Sequence, residues 1–217
     1  MNKSATDPMA PSSPEPGTEA GEPRALVPGT RGVNHGTWSP DGTWVIYSVE
    51  AGAGDALRYV RTGTDTPSEI FLDDGLSNRT PAVSPDGRWV AYGSDESGQS
   101  EIYVRPFPGP GGRHPVSVSG GTQPVWTRDG RGLVYKSDPS TWMLATVRED
   151  ADFLVEDRRV FVVIGSVLTG DERGLEYSIS LDGERLLLNR TMEQGVGASL
   201  VLIHNWGLEL RERAGSN

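Results

Sequence analysis

Four aspartates in this sequence recur in one setting, each followed by glycine: Asp41-Gly42, Asp86-Gly87, Asp129-Gly130 and Asp182-Gly183. Grouped carboxylates can hold a cation or work as a general acid and base. Either role requires them to converge on one point. Their spacing argues otherwise, because the aspartates fall 45, 43 and 53 residues apart, each inside a copy of one repeat. Asp-Gly between alternating apolar residues is also the strongest short hairpin signal, with both residues expected at positive φ. The four pairs are therefore read as structural turns spaced around an axis.

Other candidate chemistry is sparse. Asp95-Glu96-Ser97-Gly98-Gln99 lacks the alternating oxygen ligands and closing glutamate of a calcium loop, and reads as a polar turn. His35, His114 and His204 are far apart in sequence, whereas metal sites favour close pairs. No Gly-x-Ser-x-Gly elbow marks a nucleophilic serine. Asn78-Arg79-Thr80 and Asn189-Arg190-Thr191 match glycosylation acceptors and are read as coincidence. Cysteine is absent, which removes disulfides and thiolate metal sites. No catalytic residue, metal site or cofactor is expected.

The elements that carry these residues follow from the repeat. Trp38-Ser-Pro-Asp-Gly-Thr-Trp-Val-Ile-Tyr47 returns as Val83 to Tyr92, as Trp126 to Tyr135, and more weakly as Ile179 to Leu188. Each copy gives a short strand A, the turn and a strand B with period-2 alternation. Third strands, C, are expected at Ala56 to Arg61, Glu101 to Arg105, Met143 to Arg148 and Ser199 to His204. Fourth strands, D, are expected at Ser68 to Leu72, His114 to Val118 and Arg159 to Ile164. Four strands per period of roughly 40–50 residues is the pattern of β-propeller blades. The fold class is all-β, a propeller of about four four-stranded antiparallel blades over residues 22–211. A Pro/Ser/Glu-rich disordered leader (1–21) precedes it and a polar tail (212–217) follows. The last copy lacks a D strand. The apolar run 23–27 is expected to supply it and close the ring, with self-association as the outcome if the ring stays incomplete.

Composition agrees with this architecture. The chain has 217 residues, 35% of them hydrophobic, with Gly 28 and Pro 16, the signature of many turns. A formal net charge of -10 argues against nucleic acid, which needs a basic stripe. No apolar run is long enough to insert in a membrane, and no signal peptide is recognisable. A cytoplasmic location follows for the chain as written, and a periplasmic one if it is part of a longer anchored protein.

The repeat resembles the WD-like β-propeller repeats of the TolB type, carried here by Ser84-Pro85-Asp86-Gly87 with Trp89, Ser94-Asp95 and Glu101-Ile102-Tyr103-Val104. Three segments sharpen it: Glu101 to Gly112, Gly120 to Trp126, and His204-Asn205-Trp206 with Glu209-Leu210. These are similar to propellers that follow the kinase domain of bacterial serine/threonine protein kinases. The resemblance covers roughly residues 22–211, and the chain has no glycine-rich phosphate loop, strand lysine or catalytic-loop motif. It implies a non-catalytic sensor or scaffold propeller that binds a protein or peptide. The alternatives are a propeller associated with a hydrolase or lyase and acting through its central channel, or a non-functional fragment of a larger kinase-propeller gene.

Partner-binding candidates lie in the loops between D and the next A strand: Asp73 to Thr80, Ser119 to Gln123 and Ser166 to Glu176. Asp73, Asp74, Asp171 and Glu172 would make their face acidic, suited to a cationic peptide. Among the tryptophans, Trp44 and Trp89 share one slot of the repeat, and Trp38 and Trp126 another, which indicates packing between blades. Trp142 and Trp206 break the pattern. Trp206 is expected to pack the last strand, and Trp142, partly buried, is the candidate for an exposed contact.

Overall fold

The Asp-Gly repeats fold into successive antiparallel sheets, as seen in a computed structural model that describes residues 25–149, 152–163, 177–180, 185–191 and 198–204. The first blade is β1 (Val33–Trp38), β2 (Trp44–Ala51), β3 (Gly54–Arg61) and β4 (Glu69–Leu72). The second is β5 (Asn78–Val83), β6 (Trp89–Ser94), β7 (Glu101–Pro106) and β8 (His114–Pro115). The third is β9 (Thr122–Trp126), β10 (Gly132–Asp138), β11 (Thr141–Glu149) and β12 (Phe153–Val163). The fourth contains β13 (Tyr177–Ile179), β14 (Arg185–Thr191) and β15 (Ala198–His204). In every sheet the strands pair in chain order, so each blade is a meander. This is the expected all-β propeller arrangement.

Differences of strand length have local causes. The expected D strand His114 to Val118 stops at Pro115; beyond it the Val116 and Ser117 amides both donate to the Ile102 carbonyl, at 2.7 and 3.3 Å, and the Ser117 hydroxyl accepts the Ile102 amide at 2.7 Å. The third D strand begins at Phe153 rather than 159, where the Phe153 ring fills the space between blades. The expected outer strand over 23–27 is not formed in its described part: residues 25–27 are not strand, and Val27 packs against Tyr47, Val49, Ala56 and Val60 of the first blade. Asp171, Glu172, Asp182, Gly183 and Trp206, with the leader 1–21 and tail 212–217, lie outside the described residues.

Alternation of side chains gives each blade two apolar faces, and the core is built where a face meets its neighbour. Between the first and second blades, Trp44, Tyr59 and Phe71 receive Phe107, with ring centroids 6.3, 5.3 and 5.8 Å away. Between the second and third, Trp89, Ile102 and Val104 meet Trp126, Tyr135 and Phe153. Between the third and fourth, Trp142, Leu144 and Phe161 meet Tyr177 and Leu186. The Tyr177 hydroxyl donates to the carbonyls of Gln123 at 2.6 Å and Val134 at 3.0 Å. Full burial pushes its pKa well up. That bond pair ties β13 to the blade before it.

The candidate docking face

The A–B turns occupy one face of the arc, and their described aspartates accept hydrogen bonds from within the turns. In the first, the Ser39 hydroxyl donates to Asp41 Oδ1 at 2.5 Å, the Thr43 amide donates to the same atom at 3.0 Å, and Ser39 Oγ accepts the Trp44 amide at 2.9 Å. Ser84, Asp86, Arg88 and Trp89 repeat the scheme, as do Thr127, Asp129 and Arg131. Hydrogen bonds from Ser39 and Thr43 lower the Asp41 pKa to about 2. For Asp86, desolvation pulls upward, but Ser84 and Arg88 outweigh it and bring the pKa to about 2. The Thr127 hydroxyl, opposed by desolvation, lowers Asp129. One expectation is corrected here. The aspartates do not take positive φ; only Gly42, Gly87 and Gly130 do, at 69°, 76° and 73°. Each Gly donates its amide back to the carbonyl of Ser39, Ser84 or Thr127, making a wider turn closed by a glycine in place of a two-residue hairpin.

The opposite face carries the D–A loops and B–C turns. Its loops are shorter than expected, since β5 opens at Asn78 and β9 at Thr122. Asp73 and Asp74 are exposed there, as are Glu50, Asp95 and Asp138, with Arg31 just before β1. Asp74 also braces its own loop, since Oδ1 accepts the Leu76 amide at 3.2 Å and Asn78 Nδ2 at 2.8 Å. Asp95 Oδ1 accepts the Ser77 amide at 2.9 Å, which fixes the end of the first loop against the B–C turn of the second blade. Arg113, on the rim, lies over the Tyr103 ring and pairs with Glu96 and Asp74. Asp73 and Asp74 thus stand on the same face as the exposed Glu50, Asp95 and Asp138.

Trp142 is the clear correction. It is 0% exposed and stands edge-on to Tyr177 at 5.9 Å. The B–C hairpin of the third blade turns within Pro139 and Ser140, where Asp138 Oδ1 accepts the Ser140 amide at 2.8 Å. Strand β11 consequently begins at Thr141, and Trp142 alternates with Leu144 onto the blade interface. Trp142 is core, not a contact residue. Trp38 departs from its pairing with Trp126 in the opposite sense, at 62% exposed against 9%.

Residues that sequence reasoning missed lie between the second and third blades at the mouth of the same face. A cavity of about 240 Å³ is lined by Ser77, Arg79, Thr80, Asp95, Ser100 and others. Arg79 Nε donates to Asp55 Oδ2 at 2.6 Å, and Asn34 Nδ2 donates to Asp55 Oδ1 at 3.0 Å. Asp55 is buried, so the guanidinium is held from behind. Beside it Thr80 has φ 47°, and Gln123, in the equivalent place of the third blade, has φ 55°. Both precede proline, a position that ordinarily favours extended backbone, and both sit at register shifts of the inner strand. No local signal marked them, since a residue before proline ordinarily takes extended backbone with negative φ. Among the described residues no group of three or more His, Cys, Asp or Glu is placed to hold a metal.

No family model matches the chain, and no curated protein matches it. Solved structures do. TolB from Acinetobacter baumannii superposes with a TM-score of 0.59 at 16% identity, covering 81% of this chain and 42% of that one. A puromycin-hydrolyzing peptidase of Mycobacterium tuberculosis gives 0.57 at 17% identity, covering 86% and 29%. Oligogalacturonate lyase from Vibrio parahaemolyticus gives 0.53 at 17%, covering 80% and 49%. The fold is a TolB-like propeller. The chain spans less than half the length of each of these three proteins, and at such identities the likeness concerns the fold alone.

Proposed function

We propose that this propeller is a non-catalytic binding module whose partner is a protein or peptide of cationic character, docking on the face of D–A loops and B–C turns. The observation that carries the reading is the exposed acidic set Glu50, Asp73, Asp74, Asp95 and Asp138 on that one face. Asp74, Asp95 and Asp138 each also brace a turn through Oδ1, and Asp74 lies 3.8 Å from Arg113, so Glu50 and Asp73 are the members of the set with no such bond among the described residues. Acids spread over several rigid turns offer a partner a complementary field that speeds encounter and selects for positive charge. The parent of such a module is the sensor propeller of bacterial serine/threonine kinases, a reading supported by the segment Glu101 to Gly112. Within it Phe107 plugs the first blade interface and Arg105 lies 5.7 Å from the Phe71 ring.

Titration with hexalysine amide by calorimetry, at two ionic strengths, tests the docking face. Binding that weakens with salt and falls at least tenfold in the Glu50→Lys/Asp73→Lys double variant supports it. Salt-independent binding, or binding unchanged in that variant, overturns it. An upstream gene encoding a kinase domain is the corresponding check on the parentage.

A further inference from the structure

The mouth cavity beside Arg79 has the elements of a ligand site. Its cation is oriented: Nε is engaged by buried Asp55, and among the described residues the terminal Nη1 and Nη2 have no hydrogen-bond partner. That leaves the forked edge of the guanidinium, the part suited to bidentate pairing with a carboxylate. Ser77, Thr80 and Ser100 line the same cavity, and their hydroxyls likewise have no partner among the described residues. A hydroxyl can donate to a carboxylate oxygen that the guanidinium leaves unfilled. Asp95 spends Oδ1 on the Ser77 amide, and Oδ2 holds no described bond. It places a negative charge at the edge of the same cavity.

Space for the ligand is made by Gly93. It lies on β6 opposite Arg79, and a Cβ placed there would stand 3.7 Å from Ser100 Oγ and 3.8 Å from Thr80 Oγ1. Those are ordinary contact distances, so a methyl fits without strain and occupies the gap between the two hydroxyls. On the other side of the gap Thr80 has φ 47° at a break in the β5–β6 register.

We infer that this cavity binds a carboxylate carried next to a positive charge, the carboxylate on the Arg79 fork and the cation against Asp95. The inference deepens the proposed function and rests on it: the cavity would receive one carboxylate of the cationic partner that the acidic face attracts. A chain-terminal carboxylate and an acidic side chain are the two sources of that chemistry. A volume of about 240 Å³ suits a single residue's end group, being smaller than the ~300–1,000 Å³ of drug-sized sites.

The test is a titration monitored by amide NMR at Gly93 and by the Arg79 Nε–H signal. The probes are N-acetyl-glycyl-lysine with its free carboxylate, the same peptide as its amide, and N-acetyl-aspartyl-lysine amide. The expected result is a saturable shift with the first or third probe and none with the second. Which of the two responds assigns the carboxylate to a chain end or a side chain. Arg79→Lys keeps the charge but loses the fork, and should abolish saturation. Gly93→Ala, which leaves the Arg79–Asp55 pair untouched, should weaken binding at least threefold. Equal shifts with the amide probe, no saturation with any probe, or affinity unchanged in Gly93→Ala overturn the inference. Hexalysine amide run in parallel separates the two proposals: if it binds while the carboxylate probes do not, the acidic face stands and the cavity assignment falls.

Discussion

The Trp126 indole Nε1 donates to the Ala82 carbonyl at 3.0 Å, which pins the third blade to the inner strand of the second. Trp38 stands in the same slot of the first blade and is 62% exposed. One sequence position therefore has two energetic values. Truncating Trp126 to Ala removes a buried aromatic and a hydrogen bond and should cost about 3–5 kcal/mol. Trp38→Ala should stay within about 1 kcal/mol. Chemical denaturation of the two variants compares them directly, and equal losses would refute the distinction.

Tyr177→Phe removes only the hydroxyl that bridges Gln123 and Val134. Two buried carbonyls lose a donor, so a loss of about 1–3 kcal/mol is expected. It should fall on the fourth blade first. Hydrogen exchange should show β13 and β14 losing protection while β6 and β7 keep theirs.

The turn aspartates give stability a pH dependence of known sign. Asp41 and Asp86 have folded pKa values near 2, below the unfolded value of about 3.9. Their contribution is fully present above the unfolded value and is lost as pH falls from about 4 towards 2. Thermal melts over that window should show a falling midpoint. In the Asp41→Asn/Asp86→Asn variant the slope should be shallower, and an identical slope would sink the account.

Two glycines separate strain from collision. At Gly42, φ is 69° and a Cβ would meet nothing within 4 Å, so Ala costs only the left-handed backbone, about 1–2 kcal/mol. At Gly54 an added Cβ would lie 2.3 Å from the Leu76 carbonyl oxygen, and the backbone itself must move. Gly54→Ala should be the more damaging by a clear margin in urea denaturation. The reverse order would contradict the close approach of β3 to the loop.

The blades were legible because two local signals coincide in each of them. The short apolar run Trp89 to Tyr92 marks a strand, buried throughout, and Asp-Gly marks where the chain returns. The error at Trp142 came from the one B–C turn without a glycine, Asp138-Pro139-Ser140-Thr141, whose extent local sequence leaves open. Trp38 was misjudged because equal slots were assumed to have equal neighbours. The acidic loop at Asp73 and Asp74 could be read from composition. The Arg79 cavity could not, since it requires Asp55, Gly93 and Ser100, from two blades, to meet at one point.

The amide of Asp55 donates to the Leu76 carbonyl at 3.0 Å, and that of Gly121 donates to the Ser100 carbonyl at 2.8 Å. In both blades the last residues of a D–A loop are tethered to the start of the C strand. Length added to such a loop would be taken up upstream of the tether, around Asp73 to Gly75 in the first case, leaving the inner strand in register. The loops can thus diverge or accept grafted segments independently of the blades beneath them, which makes this face the part of the molecule where new recognition could arise with little disturbance to folding.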